Sequence, residues 1–308
     1  MKKVFIDGSA GTTGLRIFER LSARDDIQLI TLPDELRKDA NARKKALNSA
    51  DVAFLCLPDD AAREAVAMVE NENVTVIDAS TAHRTLADWA YGFPELSKKH
   101  LEKVRSSKRI AVPGCHASGF IALVYPLVET GLLDKSTYLT CHSITGYSGG
   151  GKKMIADYES AERDTLLGAP RQYALTQQHK HLKEMKAVCG LENAPVFCPI
   201  VADFYSGMTV TVPLFKKDIK GNVEDIKNIY REKYNGEFVQ YVENLDESGF
   251  VSGLAVAKKD CMRVTVAGND ERILLIAGYD NLGKGASGAA IECMNLVIGA
   301  KADKGLVL

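Results

Sequence analysis

The chain has 308 residues, 46% of them hydrophobic and 26% charged, with a formal net charge of -1. That length suits one large or two ordinary domains. The near-zero charge gives no electrostatic case for nucleic acid or an anionic membrane as partner, and no apolar run reaches membrane-spanning length.

The first half alternates in type. Residues 4–6, 27–32, 52–57 and 74–78 read as short, continuous apolar strands, Pro58 stopping the third. Residues 15–21 read as a helix with Leu15, Phe18 and Leu21 on one face, 43–47 as a weak helix and 61–69 as another. Between 81 and 108 the signals fade, and 109–112 is a last short strand. This alternation predicts a parallel sheet covered on both faces, a Rossmann-type dinucleotide-binding domain.

The first strand runs into Gly8-Ser9-Ala10-Gly11-Thr12-Thr13-Gly14. Glycines at this strand–helix junction let the backbone turn tightly and approach a pyrophosphate, which the helix N-terminus attracts. A tight turn without ligand would use the same residues. The second strand ends at Leu32-Pro33 with no acidic residue at its tip; Asp34 and Glu35 follow, then Arg37 and Lys38, which leans towards NADP over NAD.

The seven cysteines include no Cys-x-x-Cys pair, which argues against a zinc ribbon or a disulfide scaffold and for a reducing, cytoplasmic setting. Cys56 reads as a small buried hydrophobe. Cys115 differs. Pro113-Gly114 breaks the chain just before it, and Phe120, Ile121, Leu123, Val124, Leu127 and Val128 follow at helical spacing. Pro126 is expected to kink or shorten that helix, and Gly131 marks its end. A thiol at a helix N-terminus is easily ionised, and the free amides there can hold an oxyanion. A redox cofactor with a nucleophilic thiol implies interconversion of an aldehyde and an activated acyl group.

The second half is β-rich over 138–145, 204–213, 251–256, 261–267 and 272–279, with a hairpin signal at Gly268-Asn269-Asp270. Residues 224–234 and 286–298 read as helices. A second α+β domain with a mixed, largely antiparallel sheet is expected. The division runs 1–114 plus 283–308 against 115–282, with the site in the crevice between.

His179 and His181 are candidate bases for the thiol. They lack further ligands for zinc, and a solvated loop is the competing reading. Gly146-Tyr147-Ser148-Gly149-Gly150 fits a hydrolase elbow, with Asp157 or Asp164 and then His179 in the right order. That serine-hydrolase reading leaves the glycine turn unexplained. Gly278–Gly285 nearly fits a P-loop, but Gly285 stands where Ser or Thr is needed.

The glycine turn, Gly92-Phe93-Pro94-Glu95-Leu96, Val112-Pro113-Gly114-Cys115, His179-Lys180-His181 and the run from Asp280 to Gly288 together resemble N-acetyl-gamma-glutamyl-phosphate reductases of the shorter type. Related aspartate- and aminoadipate-semialdehyde dehydrogenases run the same chemistry. The resemblance implies NADPH-dependent reduction of an acyl phosphate through a Cys115 thioester, in arginine biosynthesis. His179 is then the base, with His181 and Tyr173 beside the substrate. Arg84, Ser148 and Lys152 are further substrate candidates; Arg84, Lys152 and Lys153 are cations on loops, for which solvation is an equal reading. The cofactor set is Gly8, Ser9, Ala10, Gly11, Thr12, Thr13 and Gly14 with Pro58, Ser80, Asn281 and Gly285. A homo-oligomer is expected, and a metal is not.

Overall fold

The computed structural model describes residues 1–308. Two compact units form: residues 1–113 with 286–306, and residues 114–285 with 307–308.

The first unit runs β1 (Lys2–Asp7), α1 (Thr12–Ser22), β2 (Ile27–Ile30), α2 (Ala40–Ser49), β3 (Val52–Leu55), α3 (Asp59–Ala67), β4 (Thr75–Asp78), β5 (Ala90–Tyr91), α4 (Lys98–Ser106) and β6 (Arg109–Ala111). The six strands order β2-β1-β3-β4-β6-β5. Every pairing is parallel. β3 and β4 are buried at every residue, as a sheet covered on both faces requires. The faded stretch before residue 108 hides β5 and α4, the first too short and the second too polar to show periodicity. In α1 the buried face is Gly14, Ile17 and Leu21; Leu15, expected on it, is 45% exposed.

The second unit runs α5 (Cys115–Glu129), β7 (Thr140–Gly146), α6 (Gly151–Glu159), β8 (Arg171–Gln172), α7 (His181–Cys189), β9 (Val196–Ala202), β10 (Met208–Phe215), α8 (Val223–Lys233), β11 (Val239–Tyr241), β12 (Met262–Gly268) and β13 (Arg272–Tyr279). Its sheet orders β11-β12-β13-β10-β7-β9-β8 and is mixed. β7–β9 and β11–β12 are parallel and the other four pairings antiparallel. Residues 251–256, expected as a strand, form none; 253–256 are turn. Helix α5 is apolar nearly all round and lies against β10, β13, α7 and α8.

Pro126 neither ends nor shortens α5, which continues to Glu129. Proline removes the amide that Ala122's carbonyl would accept. The hydroxyl of Tyr234, just past the end of α8, donates to that carbonyl instead, at 2.7 Å, and Tyr230 of α8 donates to the neighbouring Leu123 carbonyl at 2.5 Å. After β13, Gly283–Ser287 forms a π-helical turn into α9 (Gly288–Ile298), whose Ala290, Ile291 and Met294 join the core of the first unit. No helix is long and apolar enough to cross a membrane.

Candidate active site

In the first unit the glycine turn joins β1 to α1. Gly8 has φ +87°, and a Cβ there would stand 2.3 Å from the Cys56 carbonyl oxygen. At Gly14 a Cβ would stand 2.4 Å from the Gly8 carbonyl oxygen. Both positions therefore require glycine, and the turn stays tight enough for backbone to approach a phosphate. Gly11 N-caps α1 without a side-chain cap, so the first-turn amides around Thr12 and Thr13 are not closed off by a capping side chain. These features fit a dinucleotide pyrophosphate.

The end of β4 is also organised. Asp78 accepts hydrogen bonds from the Ser80 amide and hydroxyl and lies 2.6 Å from His83 Nδ1, all three residues being buried. His83 stacks on Trp89. The Ser80 side chain is thus held by Asp78, while Pro58 N-caps α3. Arg84, a loop-cation candidate for substrate with solvation as the competing reading, is buried and donates to the carbonyls of Val112 and Ala79.

In the second unit Cys115 opens α5, with Gly114 as an extended N-cap lacking a side-chain cap. The thiol is half-buried. Buried Glu184 of α7 accepts the Gly114 amide at 2.8 Å, which ties the approach to Cys115 to α7. The Tyr279 hydroxyl accepts from the Gly119 amide at 3.0 Å and donates to the Cys115 carbonyl at 2.5 Å, holding the first turn of α5 from β13.

Beside this turn lie three histidines. The His179 and His181 rings are 4.6 Å apart, and His116 is 6.0 and 5.6 Å from them. The His181 backbone N–H donates to His179 Nδ1 at 3.2 Å, so the neutral His179 ring carries its proton on Nε2. His116 is buried, with Nδ1 2.6 Å from Ser143 Oγ and Nε2 2.7 Å from the Tyr173 hydroxyl. Burial, and then repulsion from His179, pushes its pKa down to about 3, so it is neutral at physiological pH. Burial first, and then the charge of Cys115, push Tyr173 above the usual phenol range. Tyr173, His179, His181 and Cys115 are therefore brought together, joined by His116, Ser143, Glu184 and Tyr279, which sequence reasoning missed. The only signal for His116 was its place directly after the cysteine.

Ser148 does not sit in a nucleophile elbow. It is buried in a 3-10 turn and its hydroxyl accepts from Asn281 Nδ2 at 3.0 Å. Asn281 Oδ1 in turn accepts the Gly207 amide. Buried Asp280 gathers the Ser206 hydroxyl and the amides of Lys258, Leu282 and Gly283, fixing the loop that presents Asn281. Gly285 lies against the nucleophile: a Cβ there would be 3.1 Å from Cys115 Cβ. Lys152 and Lys153 are not on a loop but in the first turn of α6, both exposed. No group of three or more His, Cys, Asp or Glu residues is placed to hold a metal ion.

A dinucleotide turn in one unit and a thiol–histidine cluster in the other define a semialdehyde dehydrogenase, and two family models agree. Residues 3–104 match the semialdehyde dehydrogenase NAD binding domain, and residues 115–281 match the semialdehyde dehydrogenase dimerisation domain. Among solved structures, aspartate semialdehyde dehydrogenase II of Vibrio cholerae, complexed with ASA, is similar at TM-score 0.71. It has 15% identity and coverage of 97% of this chain and 98% of that one. Aspartate semialdehyde dehydrogenase with NADP from Candida albicans gives 0.67, 17% identity and coverage of 97% and 99%. Both establish fold alone. Sequence relatives are more specific. The N-acetyl-gamma-glutamyl-phosphate reductase 2 of Nostoc sp. is 45% identical, covering 99% of each chain. The N-acetyl-gamma-glutamyl-phosphate reductase of Rhizobium meliloti is 45% identical, covering 97% of this chain and 99% of its own. The chain belongs to the N-acetyl-gamma-glutamyl-phosphate reductase family.

Proposed function

We propose that the protein reduces N-acetyl-L-glutamyl 5-phosphate to N-acetyl-L-glutamate 5-semialdehyde and phosphate, with NADPH, in arginine biosynthesis. The carrying observation is Cys115 at the head of α5 beside the histidine cluster; the family supplies the substrate. Cys115, ionised by the helix N-terminus, adds to the acyl carbon; the bond to phosphate breaks and a thioester forms on Sγ. NADPH, when bound at the glycine turn by residues 8–14, supplies the reducing electrons. His179 donates from Nε2 to the oxygen that gains charge and returns a proton as aldehyde and thiol separate. Asn281, Gly285, Pro58 and Ser80 complete the proposed cofactor contacts, and His181, Tyr173, Arg84, Ser148 and Lys152 the proposed substrate contacts. Of these, Arg84 and Ser148 act from buried, hydrogen-bonded positions. A preference for NADPH over NADH is supported by the lack of an acid in Thr31-Leu32-Pro33 directly after β2, with Asp34 and Glu35 following and Asp34 ion-paired to Arg37. A cytoplasmic homodimer or tetramer completes the reading.

The test is the reverse reaction. Purified protein, phosphate and NADP are offered N-acetylglutamate semialdehyde, aspartate semialdehyde or an aminoadipate semialdehyde, and NADPH absorbance is followed. A kcat/KM for aspartate semialdehyde equal to that for the N-acetylated substrate would overturn the assignment.

A further inference from the structure

The buried chain Ser143–His116–Tyr173 runs from the middle of β7 to the neighbourhood of Cys115. We propose that Ser143 fixes the tautomer of His116, and that His116 thereby turns the Tyr173 hydroxyl into a hydrogen-bond donor for Cys115 and its acyl adduct. The inference rests on Cys115 being the nucleophile.

The argument is a count of hydrogens. A neutral imidazole offers one donor and one acceptor, and a hydroxyl can serve as either. Two arrangements are open. In one, the Ser143 O–H donates to His116 Nδ1 and His116 Nε2–H donates to Tyr173. In the other, Tyr173 donates to Nε2 and Nδ1–H donates to Ser143. Ser143 is fully buried and its hydroxyl bonds only to His116. The second arrangement therefore strands the Ser143 hydrogen without an acceptor, which costs about 1–3 kcal/mol. The first uses every buried hydrogen. It leaves the Tyr173 oxygen accepting from His116 and the Tyr173 hydrogen free for another partner. His116 directly follows Cys115 in the first turn of α5, so the hydroxyl bonded to it stands at that turn, and the half-buried Tyr173 side chain has no second hydrogen bond. The position suits a donor to sulfur or to the oxyanion beside it. Tyr173 is then a catalytic residue, and His116 and Ser143 are positioning residues acting through it.

Two measurements test this: steady-state kinetics and the pH dependence of iodoacetamide labelling of Cys115 by mass spectrometry. Tyr173→Phe should lower kcat about a hundredfold with KM little changed. It should raise the labelling midpoint by about one to two pH units, the worth of a hydrogen bond to a charged group. His116→Asn, whose amide reaches only the Nδ1 position, should do the same; His116→Gln, whose amide nitrogen can occupy the Nε2 position, should recover most of the loss. The double variant His116→Asn/Tyr173→Phe should be no slower than Tyr173→Phe alone, since both remove one interaction. If His116→Asn does not fold, Ser143→Ala must show a midpoint shift in the same direction. An unmoved midpoint in Tyr173→Phe, equal behaviour of the Asn and Gln variants, or multiplying losses in the double variant overturns the proposal. A wild-type Cys115 labelled no faster than half-buried Cys198 would instead overturn the nucleophile itself.

Discussion

Replacing Cys115 by serine is expected to remove nearly all turnover, because a serine hydroxyl stays protonated at neutral pH and lacks sulfur's nucleophilicity. NADPH binding, read by fluorescence quenching, should persist, since the glycine turn belongs to the other unit; loss of binding would place the cysteine in the cofactor site. His179→Asn should cost roughly a hundred- to ten-thousand-fold in kcat, the usual worth of a positioned proton donor. Selective labelling of Cys115 is helped because burial pushes four other thiols up, Cys56 to about 12 and Cys141, Cys189 and Cys261 likewise upward. His116 adds a pH effect on stability. Its folded pKa lies near 3 against an ordinary 6.5. Between those values the unfolded chain binds the extra proton, so stability rises with pH, by roughly 1.4 kcal/mol per unit at most. The contribution is full above 6.5 and is lost as pH falls towards 3. Urea melts of His116→Gln should show a flatter stability profile than wild type across that window, and parallel profiles would refute the assignment.

At the scale of elements, the first turn of α5 depends on Gly119. A Cβ there would meet the Tyr279 hydroxyl and Val210 Cγ2, each at 2.7 Å, both set by the buried sheet. Gly119→Ala must displace either the tyrosine or the helix, at a cost of about 1–3 kcal/mol for overpacking. The expected outcome is a lower Tm together with slower alkylation of Cys115, with NADPH affinity kept; a wild-type labelling rate would show that Tyr279 does not position the cysteine. This contact also marks the limit of what the sequence reveals. The strands of the first unit other than the two-residue β5 were legible because a sheet covered on both faces needs unbroken apolar runs. The helix after Cys115 was legible from its periodicity. Its passage through Pro126 was not, because the replacement donors, Tyr230 in α8 and Tyr234 at its C-terminal end, come from about a hundred residues away. Cys115, His179, His181 and Tyr173 carried a motif. Ser143, inside an ordinary strand, became meaningful only when the fold brought its hydroxyl to His116 of α5. Arg84 read as a loop cation because nothing local announces that two carbonyls enclose it.

For the molecule as a whole, the seven-stranded sheet poses a question of cover. Helices α5 and α8 lie on one face. Strand register places Ile144 beside Ile200 and Thr209 on the other face, and Leu274 beside Pro213. There Ile144 is 40% exposed, Leu274 39% and Val196 55%, apolar side chains spread over several strands with exposed His142, paired to Thr211, among them. Thr209 adds a buried hydroxyl with no hydrogen-bond partner. Apolar surface of this extent marks an interaction face, and the matched dimerisation domain spans all of these residues. The proposed homodimer would bury this face against a second copy. A charge at its centre should then oppose association, since an unpaired carboxylate would have to be desolvated in the interface. Ile144→Asp is expected to sediment as a monomer at concentrations where wild type is dimeric. Ile144→Ala should remain a dimer, which separates charge from lost packing. The carboxylate faces water in a free protomer, so the variant monomer should keep a cooperative melt. An Ile144→Asp protein with the mass of wild type across the dilution series would remove this face from the assembly.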